Sequence, residues 1–245
     1  MIERLRLQMQ AMQMLSKSQE ATADNLANIN TPGFKGTKVF YRMLRQEVDG
    51  EMRTKTIPRQ ELNMEQGVLD PTGGTFDFGI KGKGFFVVED ENGQHLTRDG
   101  RFRLNPDGFL VNKQGAKVMG NSGPVYIPGY MKADGGGDGN VNLQVAKDGT
   151  IRMNNKVAGQ FRIVKAEDTS SIEREGSSYF EVPEGTLIED SDSLVMQGYY
   201  EKSNVEPLTQ MVDMMRTMKM FQSQQRAIRA TGEMMGQVSN QLGKF

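Results

Sequence analysis

The chain has 245 residues, with 30 basic and 31 acidic side chains for a net charge of −1, and it contains no cysteine. That balance argues against nucleic acid or an anionic membrane as the main partner, and the missing thiols exclude disulfides, thiolate metal sites and cysteine nucleophiles. No run approaches the roughly 18 apolar residues that span a bilayer, and the opening residues lack the apolar core and cleavage site of a secretory signal, so neither direct membrane insertion nor a cleaved signal is expected.

At the N-terminus, Ile2, Leu5, Met9, Met12, Ser16, Gln19, Ala23 and Leu26 step alternately by three and four. This is the spacing of a heptad seam, and it predicts a helix over 1–29. The helix runs into "DNLANINTPGFKG" (24–36), a cluster that stops helices. Pro32 biases Thr31 away from helical angles, Gly33 supplies a permissive backbone, and Asn28 and Asn30 compete for local hydrogen bonds. The helix is expected to end near residue 28, with Leu26, Ile29 and Phe34 able to anchor the turn on apolar surface. Residues 30–75 follow as extended pieces with Pro58 and "PTGG" (71–74), and read as a connector.

From 76 to 195 the period becomes two and turn signals come often. "GFFVVE" leads into Asn92-Gly93 and "QHLTR", a hairpin pattern. Asp99-Gly100, Asp107-Gly108 and Asp148-Gly149 punctuate "RFRL", "GFLVN", "AKVMG", "VNLQVA" and "TIRMN". "VAGQFRIVKA" and "SSYFEVP" complete a set of short strands, which predicts an antiparallel β domain. A return connector is expected over 196–206.

The last 38 residues are helical again. Met211, Met214, Met218, Phe221, Gln225, Ile228, Gly232, Met235, Ser239 and Leu242 alternate by three and four, with Pro207 at the first turn and Ser203 and Asn204 upstream as caps. Such a helix, over 207–245, is about 50 Å long and needs a partner for its seam. The predicted fold class is therefore α+β: N- and C-terminal helices paired as a coiled coil, with an antiparallel all-β domain inserted between them. Leu5, Met9, Met12, Met211, Met214, Met218, Phe221, Ile228, Met235 and Leu242 are the expected seam. Seven methionines between 211 and 235 make it pliable, so it suits either an intramolecular helix pair or one that also meets neighbouring subunits.

Little of this supports catalysis. Gly79, Gly82 and Gly84 form G-x-x-G-x-G before a strand, which is not the nucleotide-loop order. "DGGGDGN" (134–140) places Gly136 and Val145 where a calcium loop needs ligands. His95, the only histidine, lies beside a hairpin turn with no serine elbow. Acidic pairs are many and none is singled out, leaving a cell-wall glycan hydrolase as a weak rival. No cofactor, metal or catalytic residue is assigned. Charge is uneven, however: 166–192 holds nine acids and one base, while 215–232 holds Arg216, Lys219, Arg226 and Arg229 and no acid. Both patterns fit a solvated face or an electrostatic contact.

"NLANINTPGFK" (25–35) closely resembles the signature of the flagellar rod and hook family. The resemblance continues through "GIKGKGFFVV", "LTRDGRFRLNPDGFLVNKQGAKVMG" and "QGYYEKSNVEPLTQMVDMM", in the family's order and over almost the whole chain. "GPVYIP" and "VAGQFRIVKAED" look more like the proximal rod branch than the distal, and the chain has no room for the added outer domain of a hook protein. The resemblance implies a structural, non-enzymatic, self-assembling subunit of the basal-body rod that transmits torque. It would be exported by the flagellar apparatus without signal cleavage and would contact other copies of itself and neighbouring rod proteins in the periplasmic space. It also implies that Asn25, Leu26, Asn28, Asn30, Pro32, Gly33 and Phe34 form a helix-exit junction at a subunit contact.

Overall fold

The computed structural model describes residues 2–48, 51–127, 143–154, 156–183 and 185–242. They divide into two compact units, one of Met1–Ala27, Thr37–Glu61 and Glu206–Phe245, the other of Asn28–Gly36 and Leu62–Val205. With two terminal helices and a large antiparallel β region, the chain is α+β.

The first unit holds α1 (Ile2–Ala27) and α2 (Pro207–Leu242), which pack against one another. Pro207 opens α2, where its missing N–H leaves no intrahelical bond unmade. Ala21, Thr22 and Asn25 of α1 and Thr217 of α2 are the buried helical positions among the described side chains. Small and polar residues, not the methionines, are therefore the buried ones among the described helical side chains. Within the expected extended connector over 30–75, Thr37–Val48 and Glu51–Leu62 pair as a two-stranded sheet. Neither strand alternates apolar with polar, and Phe40, Tyr41 and Met43 are exposed. The sequence of this ribbon therefore carries no period-two pattern.

The second unit is built on a ten-stranded sheet. Its main path runs Glu173–Glu175, Tyr179–Glu181, Gly93–Thr97, Phe85–Asp90, Lys117–Gly120, Leu110–Val111 and Arg103–Leu104, all antiparallel. Ile163–Ala166 pairs with both Phe85–Asp90 and Leu187–Glu189. A three-stranded sheet (Leu143–Val145, Thr150–Met153, Lys156–Gln160) stands apart. Two short pairs join Phe78–Lys81 to Leu194–Gln197, and Leu69–Pro71 to Tyr199–Glu201. The stretch "VAGQFRIVKA" is two strands, not one. It breaks at Phe161 and Arg162 because the chain leaves the small sheet there and joins the large one. The hairpin after "GFFVVE" turns on Glu91 and Asn92, while Gly93 already pairs with Asp90.

The run Phe85, Phe86, Val87, Val88 is apolar at every position because its strand is covered on both faces. Phe86 and Val88 point into one core, with Phe78, Phe102, Val118 and Phe161; Phe85 and Val87 point into the other, with Leu96, Val164, Ile172 and Phe180. Phe86 sits edge-on to Phe102 (5.2 Å) and Phe161 (5.5 Å). Truncating it leaves a void among rings that cannot all collapse. Phe86→Ala is expected to cost about 3–5 kcal/mol in denaturant unfolding, with Phe86→Leu well under that; equal losses would mean the ring cluster is not the packing centre.

Candidate functional site

Asn25 lies on the last turn of α1 and is buried. Its Nδ2 donates to the Thr37 carbonyl (2.9 Å), and its Oδ1 accepts from the Thr37 N–H (2.8 Å). The side chain thus treats Thr37 as a neighbouring strand would, satisfying both backbone groups where the ribbon starts. Nδ2 also reaches Gln210 Oε1 on α2 at 3.1 Å.

After Ala27 the chain turns tightly. The Thr31 N–H donates to the Asn28 carbonyl (3.1 Å), Thr31 Oγ1 to Asn28 Oδ1 (3.2 Å), and the Phe34 N–H to the Thr31 carbonyl (3.3 Å). Gly33 is left-handed at φ +70°, and its N–H donates to the Glu201 carbonyl at 2.7 Å. A Cβ there would lie 2.5 Å from the Arg98 carbonyl carbon and the Asp99 nitrogen, so both the conformation and the close approach require glycine. Pro32 and Phe34 are buried, Leu26, Asn28 and Ile29 half-buried, and Asn30 exposed.

The next residue, Lys35, enters the middle of the second unit. Its Nζ lies 2.6 Å from Glu201 Oε1 and donates to the Glu65 carbonyl at 2.8 Å. Arg98 reaches the other oxygen, Nη1 to Glu201 Oε2 at 3.0 Å, donates from Nη2 to the Gly82 carbonyl at 2.8 Å, and stacks over Phe85. The Gly67 N–H adds a further bond to Glu201 Oε1 at 2.8 Å. These three side chains are 1–3% exposed, so two buried cations share one carboxylate. Burial pushes the Lys35 ammonium and the Arg98 guanidinium below their ordinary ranges, against the opposing attraction of Glu201. Desolvation outweighs even a 2.6 Å contact.

Two further side chains close the junction. The Arg174 guanidinium covers the Phe34 ring at 4.5 Å and donates to the Lys35 carbonyl at 3.1 Å. Asn204 accepts from the Gly36 N–H (2.8 Å) and donates to the carbonyls of Asn63 (2.7 Å) and Glu65 (2.8 Å). Composition and periodicity pointed to none of Lys35, Arg98, Arg174, Glu201 or Asn204 as a site residue. The available signal was position: Lys35, Arg98 and Glu201 each close or interrupt one of the separated motifs.

Of the expected seam, Met12, Met214, Phe221 and Ile228 are half-buried, whereas Met9, Met211 and Met218 are exposed. The side chains of Leu5, Met235 and Leu242 lie outside the described residues, as does the "DGGGDGN" loop. Gly84 leads directly into the strand Phe85–Asp90, and its N–H donates to Ser193 Oγ at 3.0 Å. No group of three or more histidine and carboxylate side chains among the described residues is placed to hold a metal ion, and no described helix is long and apolar enough to cross a membrane.

Comparison with known proteins gives three matched segments. Residues 5–35 match the flagella basal body rod protein family, 79–153 the flagellar hook protein FlgE/F/G D1 domain, and 196–242 the flagellar basal body rod FlgEFG protein C-terminal family. Among relatives, the flagellar basal-body rod protein FlgF of Salmonella typhimurium is 31% identical, with 91% of each chain covered. FlgF of Caulobacter vibrioides is 29% identical over 94% of each, and FlgG of Buchnera aphidicola from Acyrthosiphon pisum is 26% identical over 89% of this chain and 91% of its own.

The charge imbalance sets an order of effects. Glu201→Gln removes the carboxylate that both buried cations share, leaving only the attraction of Asp190 for Arg98, and is expected to cost about 3–5 kcal/mol in urea unfolding. Lys35→Met leaves Arg98 and Glu201 as a neutral pair and costs less. The reverse order would show that the excess charge is compensated elsewhere.

Proposed function

We infer the function from the family to which the chain belongs, that of the flagellar basal-body rod proteins. It is a structural subunit of the rod and not an enzyme, and nothing supports a glycan hydrolase. It is of the proximal type, in line with its FlgF-named relatives.

The finer reading is that the subunit works by open-ended self-association. In the assembled rod α1 and α2 would form an inner coiled-coil layer, each helix also meeting helices of other copies and of neighbouring rod proteins. The junction 25–35 would set the angle at which the chain leaves that layer. Such contacts are heterologous and non-closing, the kind that builds a shaft able to carry torque. Delivery by the flagellar export apparatus, without signal cleavage, to a rod crossing the periplasm belongs to the same proposal.

One observation carries it. Leu208, Met211, Val212, Met215 and Met218 of α2 are 42–70% exposed. Their spacing of three and four places them on one helical stripe. A soluble monomer gains nothing from a methionine-rich face turned to water, whereas a helix with neighbours on several sides needs one. Asp replacements at Met211 and Met218 should then leave the melting of the isolated protein almost unchanged, because surface positions shift stability by only about 0.5 kcal/mol. The same pair should abolish incorporation, measured as subunit in purified basal bodies. Wild-type incorporation would sink this use of the stripe.

A further inference from the structure

A cavity of about 270 Å³ lies beside the ionic cluster of the β unit, with Met64, Phe85, Arg98 and Ile172 among the side chains that line it. A guanidinium donates from every nitrogen. Nη1 of Arg98 is used on Glu201 Oε2 and Nη2 on the Gly82 carbonyl, but Nε has no hydrogen-bond partner and is screened from solvent. Among the described residues it is the one buried side-chain donor left without an acceptor. A donor in that position carries a desolvation penalty that a bound acceptor would remove.

The surroundings of the cavity are also short of negative charge. Lys35 and Arg98 share Glu201, and Asp190, which attracts Arg98 as well, is itself paired with Lys165 at 3.2 Å. Lys83 stands exposed in the lining and makes no ion pair among the described residues. It belongs to the glycine-rich turn 79–84, which therefore gives both a carbonyl to Arg98 and a cation to the rim. The acid in the lining, Glu65, accepts from Asn63 Nδ2 at 2.9 Å, and Asp168, beside the lining residue Thr169, accepts from the N–H and hydroxyl of Ser170. Neither is a partner for Arg98 Nε. Phe85 and Ile172 are buried apolar walls, while Met64 is half-buried, unbranched and able to move aside for a group that reaches Nε.

We propose that this cavity is a receptor for an acidic side chain of a neighbouring polypeptide, which sets its carboxylate on Arg98 Nε and Lys83 and its aliphatic arm between Met64, Phe85 and Ile172. The neighbour as source rests on the reading of the chain as a rod subunit; the binding chemistry of the cavity does not. A carboxylate accepts from both cations and supplies the charge that Glu201 cannot give to two partners at once. A neutral amide would accept from Nε and leave the charge uncorrected. A phosphate, with a charge of about −1.5 to −2, would overshoot it. Size points the same way, because the cavity falls below the range of about 300–1,000 Å³ that holds drug-sized ligands and suits a single side chain.

The test is NMR titration of the full chain with N-acetylglutamate N-methylamide, using the glutamine counterpart as control. The glutamate probe should move the Arg98 Nε–H signal downfield and shift the amides of 83–85 and 169–172 in a saturable way. The glutamine control should bind about tenfold or more weakly, the scale of a hydrogen bond to a charged group. Lys83→Met, at an exposed position, should weaken the glutamate probe about two- to fivefold, as for a partly exposed ion pair, and leave the melting temperature unchanged. An unmoved Nε–H signal, or equal binding of the two probes, would overturn the receptor. In cells, Lys83→Glu should lower the amount of subunit in purified basal bodies. Wild-type incorporation of that variant would overturn the neighbour as occupant. Absence of the parent itself from basal bodies would instead remove the rod reading, and the neighbour with it, whatever the titration shows.

Discussion

The structure depends on the pairing of Glu201 with Lys35 and Arg98. Lys35 comes from the first of the three matched segments, Arg98 from the second and Glu201 from the third, so one carboxylate gathers the ends and middle of a long chain at a single point. A buried ionic cluster of this kind adds little net stability over well-packed apolar residues, because each ion gives up its hydration. Its leverage lies in the penalty for misplacement, above all of Glu201, whose displacement leaves both buried cations without their shared carboxylate. Gly33 and Gly67 extend the constraint to the backbone by donating to the carbonyl and the carboxylate of the same glutamate. Residues 33–35 are therefore fixed by Glu201 more tightly than by their own turn.

Two asparagines do comparable work on either side of the turn. Asn25 satisfies both backbone groups of Thr37, and Asn204 takes the N–H of Gly36 together with two carbonyls of the following segment. A primary amide presents a donor and an acceptor in the geometry of a peptide group, so it can complete a ladder where the chain itself cannot continue one. Neither the helix end nor the ribbon start is left with unpaired backbone groups at these positions, which is what a buried change of direction requires.

The parts legible from sequence are those governed by local rules. α1 ends at Ala27, just before the turn-forming Asn28 to Gly33, Pro207 opens α2, and frequent Asp-Gly and Asn-Gly pairs mark an antiparallel β region. The ribbon over 37–62 reads in sequence as part of an extended connector because neither of its strands alternates apolar with polar residues. The division of 157–166 between two sheets left no mark either, since Phe161 and Arg162 are ordinary strand residues. The ionic cluster was out of reach for a different reason. Periodicity tells buried from exposed by apolarity, and three charged residues far apart in the chain give no sign that they meet. The surroundings of His95 leave no mark in the sequence either, since the two carboxylates at its ring, Asp90 and Glu175, come from separate strands, one of them more than 70 positions away.

The two units are stabilised by different means, and the difference suits a part that must be built after it is made. The β unit has two apolar cores and an internal ionic lock, so its own contacts are enough to order it. Among the described side chains, the helical unit has small and polar residues at its buried positions and leaves methionines in water, so much of that favourable surface is unspent. Helices of this kind draw most of their stability from tertiary packing. In the proposed rod that packing is supplied by neighbours, which makes helix order and incorporation a single event.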